Sequence, residues 1–327
     1  MNKAIPVITR FGIAAALASA AFAVQAQSYP DKPVRIVVPF PPGGNVDIGA
    51  RIIGGALQAE WNQPFLVDNK PGASGLIGGE FAAKSKPDGY TLLVGSNSVL
   101  TLSPLVYPNA PYDPVKDLAA ISSLAITPMV VVVNASVPAR NMQDLVAMAK
   151  KQPGVVTVAT PSGGSINHLA VELFMSATGT KFNLVHYKGN APLITDLLGG
   201  QFQGAFDQLT SSLPHIKSGK FRALAVTSPR RAPDLADVPT LEEAGFPGQR
   251  SVTYTGMAAP RGTPTDVVNK LNGAVNKALG QSAVKEKFAA AGAIAQGATV
   301  EEFAKFLRDE QVLWGKVVRE ANIQPGN

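Results

Sequence analysis

The chain has 327 residues, of which 46% are hydrophobic and 16% are charged, with no cysteine and a formal net charge of +6. The absence of cysteine excludes a disulfide framework, thiolate catalysis and a lipid-modified cysteine. Basic residues are dispersed along the sequence rather than clustered in a stripe, which argues against a nucleic-acid-binding protein.

The first residues have the pattern of a cleavable export signal. Lys3 and Arg10 precede an alanine-rich apolar run, residues 11–24. Val24-Gln25-Ala26 then fits the small-x-small cleavage rule. The run is too short to span a bilayer comfortably. We therefore predict a signal peptide over residues 1–26 and a periplasmic protein, with a buried N-terminal helix as the alternative. The remaining part, about 300 residues, is long enough for about two domains.

Short strands and helices alternate from residue 34 onwards. In the first half, strands are predicted at residues 34–38, 65–68 and 91–94, and helices at residues 47–61 and through residues 81–84. In the second half, strands are predicted at residues 129–133, 155–159, 182–187, 204–207 and 223–226. Helices there are predicted to be capped by Asn141, Asn190, Thr263 and Thr299, and a further one to follow Ser165 as far as Gly179. Repeated strand-loop-helix units predict an α/β fold of mostly parallel sheets flanked by helices.

Three glycine-rich loops, residues 39–44, 69–75 and 160–165, each follow a predicted strand. A turn that opens a helix leaves backbone N–H groups pointing outward at the positive helix end, which suits a phosphate or a carboxylate. In a doubly wound sheet these turns also lie where ligands bind. Gly43-Gly44 and Gly163-Gly164-Ser165 are therefore predicted to form a facing pair. Tight turns that simply require glycine are the alternative.

Enzymatic motifs do not fit these loops. Gly44 and Gly49 have Walker spacing, but Ala50-Arg51 stands where Lys and Ser or Thr are required. The surroundings of Ser74 and Ser165 do not match G-x-S-x-G, and no G-x-G-x-x-G follows a strand. We predict no enzymatic activity and no cofactor. A periplasmic hydrolase using Ser74, Ser165 or His168 remains the alternative, although it lacks a paired base and orienting acid.

Individual polar residues allow two interpretations each. The three histidines, His168, His186 and His215, do not have helical ligand spacing, so no metal site is predicted. His168 is expected in a first helical turn, either facing an anion or on the helix surface. Asp207 ends a strand, where it either accepts a hydrogen bond from a ligand or caps the turn at residues 210–212. Asp47 is predicted to cap its helix rather than to contact a ligand.

Several motifs occur together and in order along the chain after the predicted signal peptide. They are residues 39–47 with Ala50-Arg51, residues 69–75, residues 87–93, Tyr187-Lys188-Gly189 with residues 196–200, residues 237–240 and residues 243–245. This set resembles the Bug receptors, the substrate-binding proteins of tripartite tricarboxylate transporters. Asn45-Val46 departs from the small residues or Pro-Thr found there in many members.

The resemblance implies a two-lobe Venus-flytrap fold joined by strands that cross near residues 126–130 and 251–254. Residues 27–127 and 252–327 would form lobe 1, and residues 128–251 would form lobe 2. The family's ligand carboxylate is held by main-chain and hydroxyl groups of both lobes, partly through two ordered waters. The position of Asp207 often contacts the ligand's distal end, including an amine in amino-acid binders.

The residues and the resemblance together give one set of expected ligand-binding positions. They are Phe40, Pro41, Gly43, Gly44, Asn45, Ser74, Ser96 and Ser98 in lobe 1, and Ser162, Gly163, Gly164, Ser165, His168, Gly189 and Asp207 in lobe 2. The expected ligand is a small organic mono- or dicarboxylate, an aromatic carboxylate or an amino acid. The expected protein partners are membrane permease subunits that receive the ligand from a monomer. A sensing subunit of a signalling system is the alternative.

Overall fold

The computed structural model describes residues 29–107, 109–161, 163–187, 189–321 and 323. The predicted signal peptide and Ser162 lie outside this range. The described strands are β1 Val34–Val38, β2 Phe65–Asn69, β3 Thr91–Ser96, β4 Leu118–Asn134, β5 Thr157–Thr160, β6 Asn183–His186, β7 Gly204–Gln208, β8 Phe221–Val226, β9 Val252–Pro260 and β10 Ile294–Ala295. The α-helices are α1 Asn45–Trp61, α2 Leu76–Ala83, α3 Ser103–Val106, α4 Pro114–Asp117, α5 Met142–Lys151, α6 Ile166–Thr178, α7 Asn190–Leu198, α8 Leu209–Lys217, α9 Thr265–Gly280, α10 Ser282–Ala290 and α11 Val300–Glu320.

The strands of the first half form one parallel group. β1 pairs in parallel with both β2 and β3, and β9 adds antiparallel to β3. Val34, Ile36, Val37 and Val38 are fully buried, as expected for a β-branched strand covered on both faces of a sheet. α1 covers this group through buried side chains that include Ile53. The loop after β1 therefore opens at the carboxyl end of a central strand.

The second half repeats this arrangement with its own strands. β5 pairs in parallel with β6 and β7, while β7 and β8 both pair antiparallel with β4. α6 follows β5 and buries Leu169 and Phe174 in the core beneath the sheet. The loop after β5 thus has the same position in the second half as the loop after β1 has in the first half.

β4 links the two groups of strands. Residues 118–128 of this strand pair with β9, and residues 129–134 pair with β7 and β8. The predicted strand at residues 129–133 is therefore only the end of a strand of 17 residues. The preceding Ala- and Ser-rich stretch lacks the apolar alternation that would have revealed it. The division into lobes near residues 127 and 252 stays a prediction.

α11 packs on both halves of the molecule. Phe303 and Leu307 belong to a buried cluster with Leu100 and Tyr254. Trp314, farther along the helix, belongs to the cluster that contains the second-half strands and Phe174. The prediction places all of residues 252–327 in lobe 1, but this packing shows that the end of α11 contributes to the core of the second half.

Two predicted helix caps are confirmed. Thr299 and Glu302 form a reciprocal capping box, with the hydroxyl of Thr299 accepting from the amide of Glu302 at 3.2 Å. The side chain of Asn141 accepts from the amide of Asp144 at 2.8 Å. Both pairs satisfy amide donors that a helix leaves unpaired in its first turn.

Other predicted starts are wrong by one or two residues. α9 begins after Pro264, and the hydroxyl of Thr263 donates to the carbonyl of Pro260 at 2.8 Å instead of capping the helix. α7 begins at Asn190 itself, after Gly189. α1 begins at Asn45 with Gly44 as its N-cap, two residues before the predicted start.

Candidate functional site

A cavity of about 250 Å³ lies where loops from the two halves meet. Its lining residues are Phe40, Ser74, Ser98, Leu102, Ser103, Val106 and Tyr107 from the first half, and Gly163, Gly164 and Ser165 from the second. None of these described lining residues is charged. Three larger grooves, of about 310, 430 and 500 Å³, lie between α6 and α11 or along β9 and α11, and they contain no described residue of the loops after β1 or β5. The smaller cavity is therefore the candidate site.

The loop after β1 is fixed by Asp47. Gly43 has φ +85°, which favours glycine, and its amide donates to Asp47 Oδ2 at 2.9 Å. Asp47 is 2% exposed and also accepts from Arg51 Nε at 3.0 Å and Asn69 Nδ2 at 2.9 Å. Burial alone would raise the pKa of Asp47, but these hydrogen bonds outweigh burial and hold the pKa below its ordinary value. Asp47 thus stabilises the loop as an ionised side chain, while Gly44 is the cap.

The loop at residues 69–75 supports the loop after β1. Asn69 Nδ2 also donates to the carbonyl of Phe40 at 3.0 Å. Ala73 and Ser74 have φ of +46° and +54°, a conformation that costs non-glycine residues roughly 1–3 kcal/mol each and that often marks functional sites. The hydroxyl of Tyr107 donates to Ser74 Oγ at 2.8 Å. These contacts direct Phe40 and Ser74 to the cavity.

The loop after β5 is fixed by His168. Gly164 has φ +68°, and its amide donates to His168 Nδ1 at 3.0 Å. Ser165 is the N-cap of α6, and its hydroxyl accepts from the amide of His168 at 3.3 Å. His168 is 6% exposed, so of its two interpretations the one that places it on the helix surface is wrong. Its Nε2 lies 3.5 Å from Glu172 Oε1.

These contacts correct the idea that all the loop amides point outward. The amides of Gly43 and Gly164 donate within their own loops, to Asp47 and to His168. Both loops nevertheless precede helices of 13 residues or more, whose first turns carry partial positive charge. The N-terminus of α6 reaches the cavity through Gly164 and Ser165, beside neutral hydroxyl groups, whereas the first turn of α1 contributes no lining residue.

Four lining residues were not predicted from the sequence: Leu102, Ser103, Val106 and Tyr107. Leu102 ends a π-helical turn, Ser98–Leu102, which begins just after β3, and the other three residues follow this turn. The hydroxyl of Ser103 donates to the carbonyl of Ser98, and Ser96 Oγ lies 3.0 Å from Ser98 Oγ. The sequence could have indicated these residues only by their position, because ligands often bind at the carboxyl ends of parallel strands and this segment follows such an end.

The two halves approach closely at this segment. A methyl group placed on Gly164 would lie 3.0 Å from Val106 Cγ1, closer than most side-chain contacts. Glycine at this position therefore serves a close approach between the halves as well as a positive φ. Gly163, Gly164 and Ser165 consequently lie beside Ser98 and Val106 in one cavity. Of the predicted facing pair, the second-half loop thus lines the cavity, whereas Gly43 and Gly44 do not.

Several predicted ligand-binding residues do not line the cavity. They are Pro41, Gly43, Gly44, Asn45, Ser96, His168, Gly189 and Asp207. Pro41 directly follows the lining residue Phe40, whereas Gly43, Gly44 and Asn45 come three to five residues after it, and Ser96 comes two residues before Ser98. His168 acts through Gly164, and Gly189 is the cap of α7. Their contact with a ligand stays a prediction.

Asp207 is fully buried at the end of β7. Its carboxylate accepts from Ser212 Oγ at 2.7 Å and from the side-chain amide of Asn190. This geometry matches the turn-capping alternative. Burial raises the pKa of Asp207 to about 6 in spite of these hydrogen bonds.

Replacement of Asp207 by Asn is expected to flatten the pH dependence of stability. Between about pH 4 and 6 the carboxyl is protonated in the folded state but ionised in the unfolded state, so the free energy of unfolding falls as pH rises, by about 3 kcal/mol in total. Urea unfolding at pH 4 and 7 should show a smaller fall in Asp207→Asn than in the wild type. Asp234→Asn, at a 59% exposed side chain, is the control. A pH dependence of stability in Asp207→Asn equal to that of the wild type would contradict the raised pKa of Asp207.

Among the described residues, no helix combines the length and apolar character that a membrane span requires. In the same part of the chain, no group of three or more His, Cys, Asp or Glu side chains could hold a metal ion.

Two α/β halves, a shared strand and paired strand-to-helix loops around a cavity define the class of two-lobe periplasmic binding proteins. Comparison with known proteins specifies the family. Residues 50–323 match the model of the tripartite tricarboxylate transporter family receptor. The chain belongs to this family, which confirms the resemblance to Bug receptors, and members of the family are periplasmic solute-binding proteins.

Individual relatives support the same assignment. The chain is 39% identical to Protein BugT of Bordetella pertussis (strain Tohama I) over 321 residues, 98% of each chain. The structure of R. palustris Rpa4515 with adipate shares 35% identity and a TM-score of 0.77, over 90% of this chain and 99% of that one. MatC from Rhodopseudomonas palustris with bound malate shares 31% identity and a TM-score of 0.73, over 89% and 100%.

Proposed function

We propose that this receptor binds a small organic carboxylate in the cavity between its two lobes and delivers it to the permease subunits of a tripartite tricarboxylate-type transporter. The observation that carries the proposal is the meeting of Phe40, Ser74 and Ser98 with residues 163–165 around one cavity. Two solved relatives hold dicarboxylates, adipate and malate. We also propose that residues 1–26 direct export and are removed, and that the mature receptor acts as a monomer.

The uncharged lining suits reversible capture of an anion. Hydrogen bonds to a charged group each contribute about 1.5–3 kcal/mol. Two or three from each lobe, less the cost of immobilising the ligand, are consistent with a micromolar dissociation constant, about −8 kcal/mol. A ligand that contacts both lobes favours the arrangement in which both sets of contacts are made, so binding should be coupled to hinge closure.

A thermal-shift screen of organic acids tests the ligand class. The panel should include adipate and malate, aromatic carboxylates and amino acids, each paired with its neutral amide or ester. A ligand at 100 times its dissociation constant adds about 2.7 kcal/mol to the free energy of unfolding. We expect stabilisation by at least one carboxylate and none by its neutral analogue. Stabilisation by neutral analogues to the same extent would exclude a carboxylate-specific site.

Delivery to a transporter requires a separate test. Cross-linking of the ligand-loaded receptor in membranes should capture permease subunits, whereas a sensing role would yield a signalling protein instead. Incubation of the receptor with esters and amides of the bound acid should leave them unchanged. Turnover would instead support the hydrolase alternative.

A further inference from the structure

The two loops at the cavity have the same construction although their sequences differ. In each, a glycine with positive φ donates its amide to the side chain four residues later, Gly43 to Asp47 and Gly164 to His168. Each helix begins two residues after that glycine. The acceptor side chain therefore lies in the first helical turn and sets the path of the loop before it.

Each acceptor is itself held by a residue four positions farther along the helix. Asp47 accepts from Arg51 Nε at 3.0 Å, and His168 Nε2 lies 3.5 Å from Glu172 Oε1. The charges are inverted between the two loops, because an acid is held by a base in the first and an imidazole by an acid in the second. The two loops are thus equivalent in geometry but not in chemistry.

This chemical difference determines how the loops respond to pH. The carboxylate of Asp47 accepts the glycine amide throughout the neutral and weakly acidic range, because the pKa of Asp47 lies below its ordinary value. An imidazole nitrogen accepts only when it carries no proton. The contact with Gly164 therefore requires neutral His168 with its proton on Nε2, facing Glu172. A proton on Nδ1 would place two donors opposite each other and break the hydrogen bond.

Two titratable side chains, Glu172 and His186, contact His168. Glu172 lies on the same helix and would pair with a protonated imidazole, which would offset part of the added charge. His186 on β6 packs against His168 with ring centroids 4.2 Å apart, and its Nδ1 lies 2.8 Å from Thr160 Oγ1. Burial and the neighbouring His168 lower the pKa of His186, although Glu172 opposes this shift.

We propose that His168 is a positioning residue that holds the loop after β5 through the amide of Gly164, and that its protonation loosens this loop and weakens carboxylate binding. The part that concerns binding rests on the proposed function. The part that concerns the loop does not, because the contact between Gly164 and His168 exists without a ligand. The loop after β1, held by Asp47, should show no comparable response.

Nuclear magnetic resonance of the ligand-free protein tests the loop directly. As the pH is lowered, the amide signal of Gly164 should shift with the same midpoint as the ring nitrogens of His168, whose midpoint the same spectra measure. The amide of Gly43 should stay constant over the same pH change and serves as the internal control. A Gly164 amide that does not move while His168 titrates would overturn the proposal.

Substitutions separate positioning from simple packing. In His168→Asn, the side-chain oxygen can take the place of Nδ1 and accept from Gly164 without titrating, so the pH response of the Gly164 amide should disappear. His168→Leu, which offers no acceptor, should shift that amide at every pH. His186→Asn should keep the response of the wild type, and loss of the response there would assign the switch to His186 instead. His215→Asn, at a histidine that contacts Phe221, is the matched control.

Calorimetric titration with adipate and with malate tests the effect on binding. Wild-type affinity should fall about tenfold from pH 8 to a pH below the measured midpoint of His168, as expected for the loss of one hydrogen bond at the site. The affinity of His168→Asn should fall much less over the same pH change. Because both proteins bind the same ligand, this comparison cancels the effect of ligand protonation. An equal fall in affinity in the wild type and in His168→Asn, or stronger wild-type binding in acid, would overturn the proposal. If neither acid binds at any pH, the proposed ligand class is wrong. The pH response of the Gly164 amide still tests whether His168 holds the loop.

Discussion

Replacement of Ser165 by Asp should abolish carboxylate binding while leaving the protein folded. Ser165 lines the cavity and is the N-cap of α6. Asp is as good a cap as Ser, and the helix N-terminus stabilises its negative charge, so the fold should tolerate the change. A bound carboxylate about 4 Å away would be repelled by roughly 4 kcal/mol at an effective dielectric constant near 20. We therefore expect affinity to fall at least about 100-fold.

Ser165→Asn is the matched control for this experiment. Asn has nearly the same shape as Asp and is an equally good cap, but it carries no charge. Its affinity should stay within about tenfold of the wild type. Gly44→Asp, at the corresponding cap of α1 with φ −79°, should act in the same direction, and so should Gly163→Asp at the cavity. Tight carboxylate binding by both Ser165→Asp and Gly44→Asp would remove these loops from the site.

Replacement of Trp314 by Ala should cause the largest loss of stability. Trp314 is fully buried and belongs to one cluster of buried side chains with Leu102, Val106 and the second-half core. Removal of a buried Trp side chain leaves a cavity and typically costs about 3–5 kcal/mol. The change also removes the hydrogen bond from Trp314 Nε1 to Glu310 Oε2, which is 2.8 Å long.

Urea unfolding of Trp314→Ala measures this effect. Val312→Ala on the same helix, at a side chain that is 75% exposed, should change the free energy of unfolding by less than about 0.5 kcal/mol. Because Leu102 and Val106 also line the cavity, Trp314→Ala should weaken ligand binding as well. A loss below about 1 kcal/mol would show that the end of α11 does not contribute to this core.

The sequence predicts the strands well where local chemistry determines them. The strand at Val34–Val38 is a β-branched run buried on both faces, and its predicted limits are confirmed. β4 is the counterexample, because its first part is rich in Ala and Ser and its length depends on pairing with β9. Such long-range pairing leaves no periodic pattern in a single sequence.

The candidate site was predictable as a set of loops but not as a set of contacts. Glycine-rich turns after strands identified Phe40, Ser74 and residues 163–165, which the structure brings together. Tyr107 was missed, because only the fold brings its hydroxyl to Ser74, 33 residues earlier in the sequence. The choice between the two interpretations of Asp207 likewise depended on its contact with Asn190, which is 17 residues away in the sequence.

One carboxylate is expected to contact both halves of the molecule in this cavity. The most direct measurement is a crystal structure of the mature protein with the acid that gives the largest thermal stabilisation. We predict carboxylate oxygens within hydrogen-bonding distance of residues 163–165 and also of the first-half lining around Ser74 and Ser98. A carboxylate bound by one half alone, or in the grooves along α11, would contradict this account.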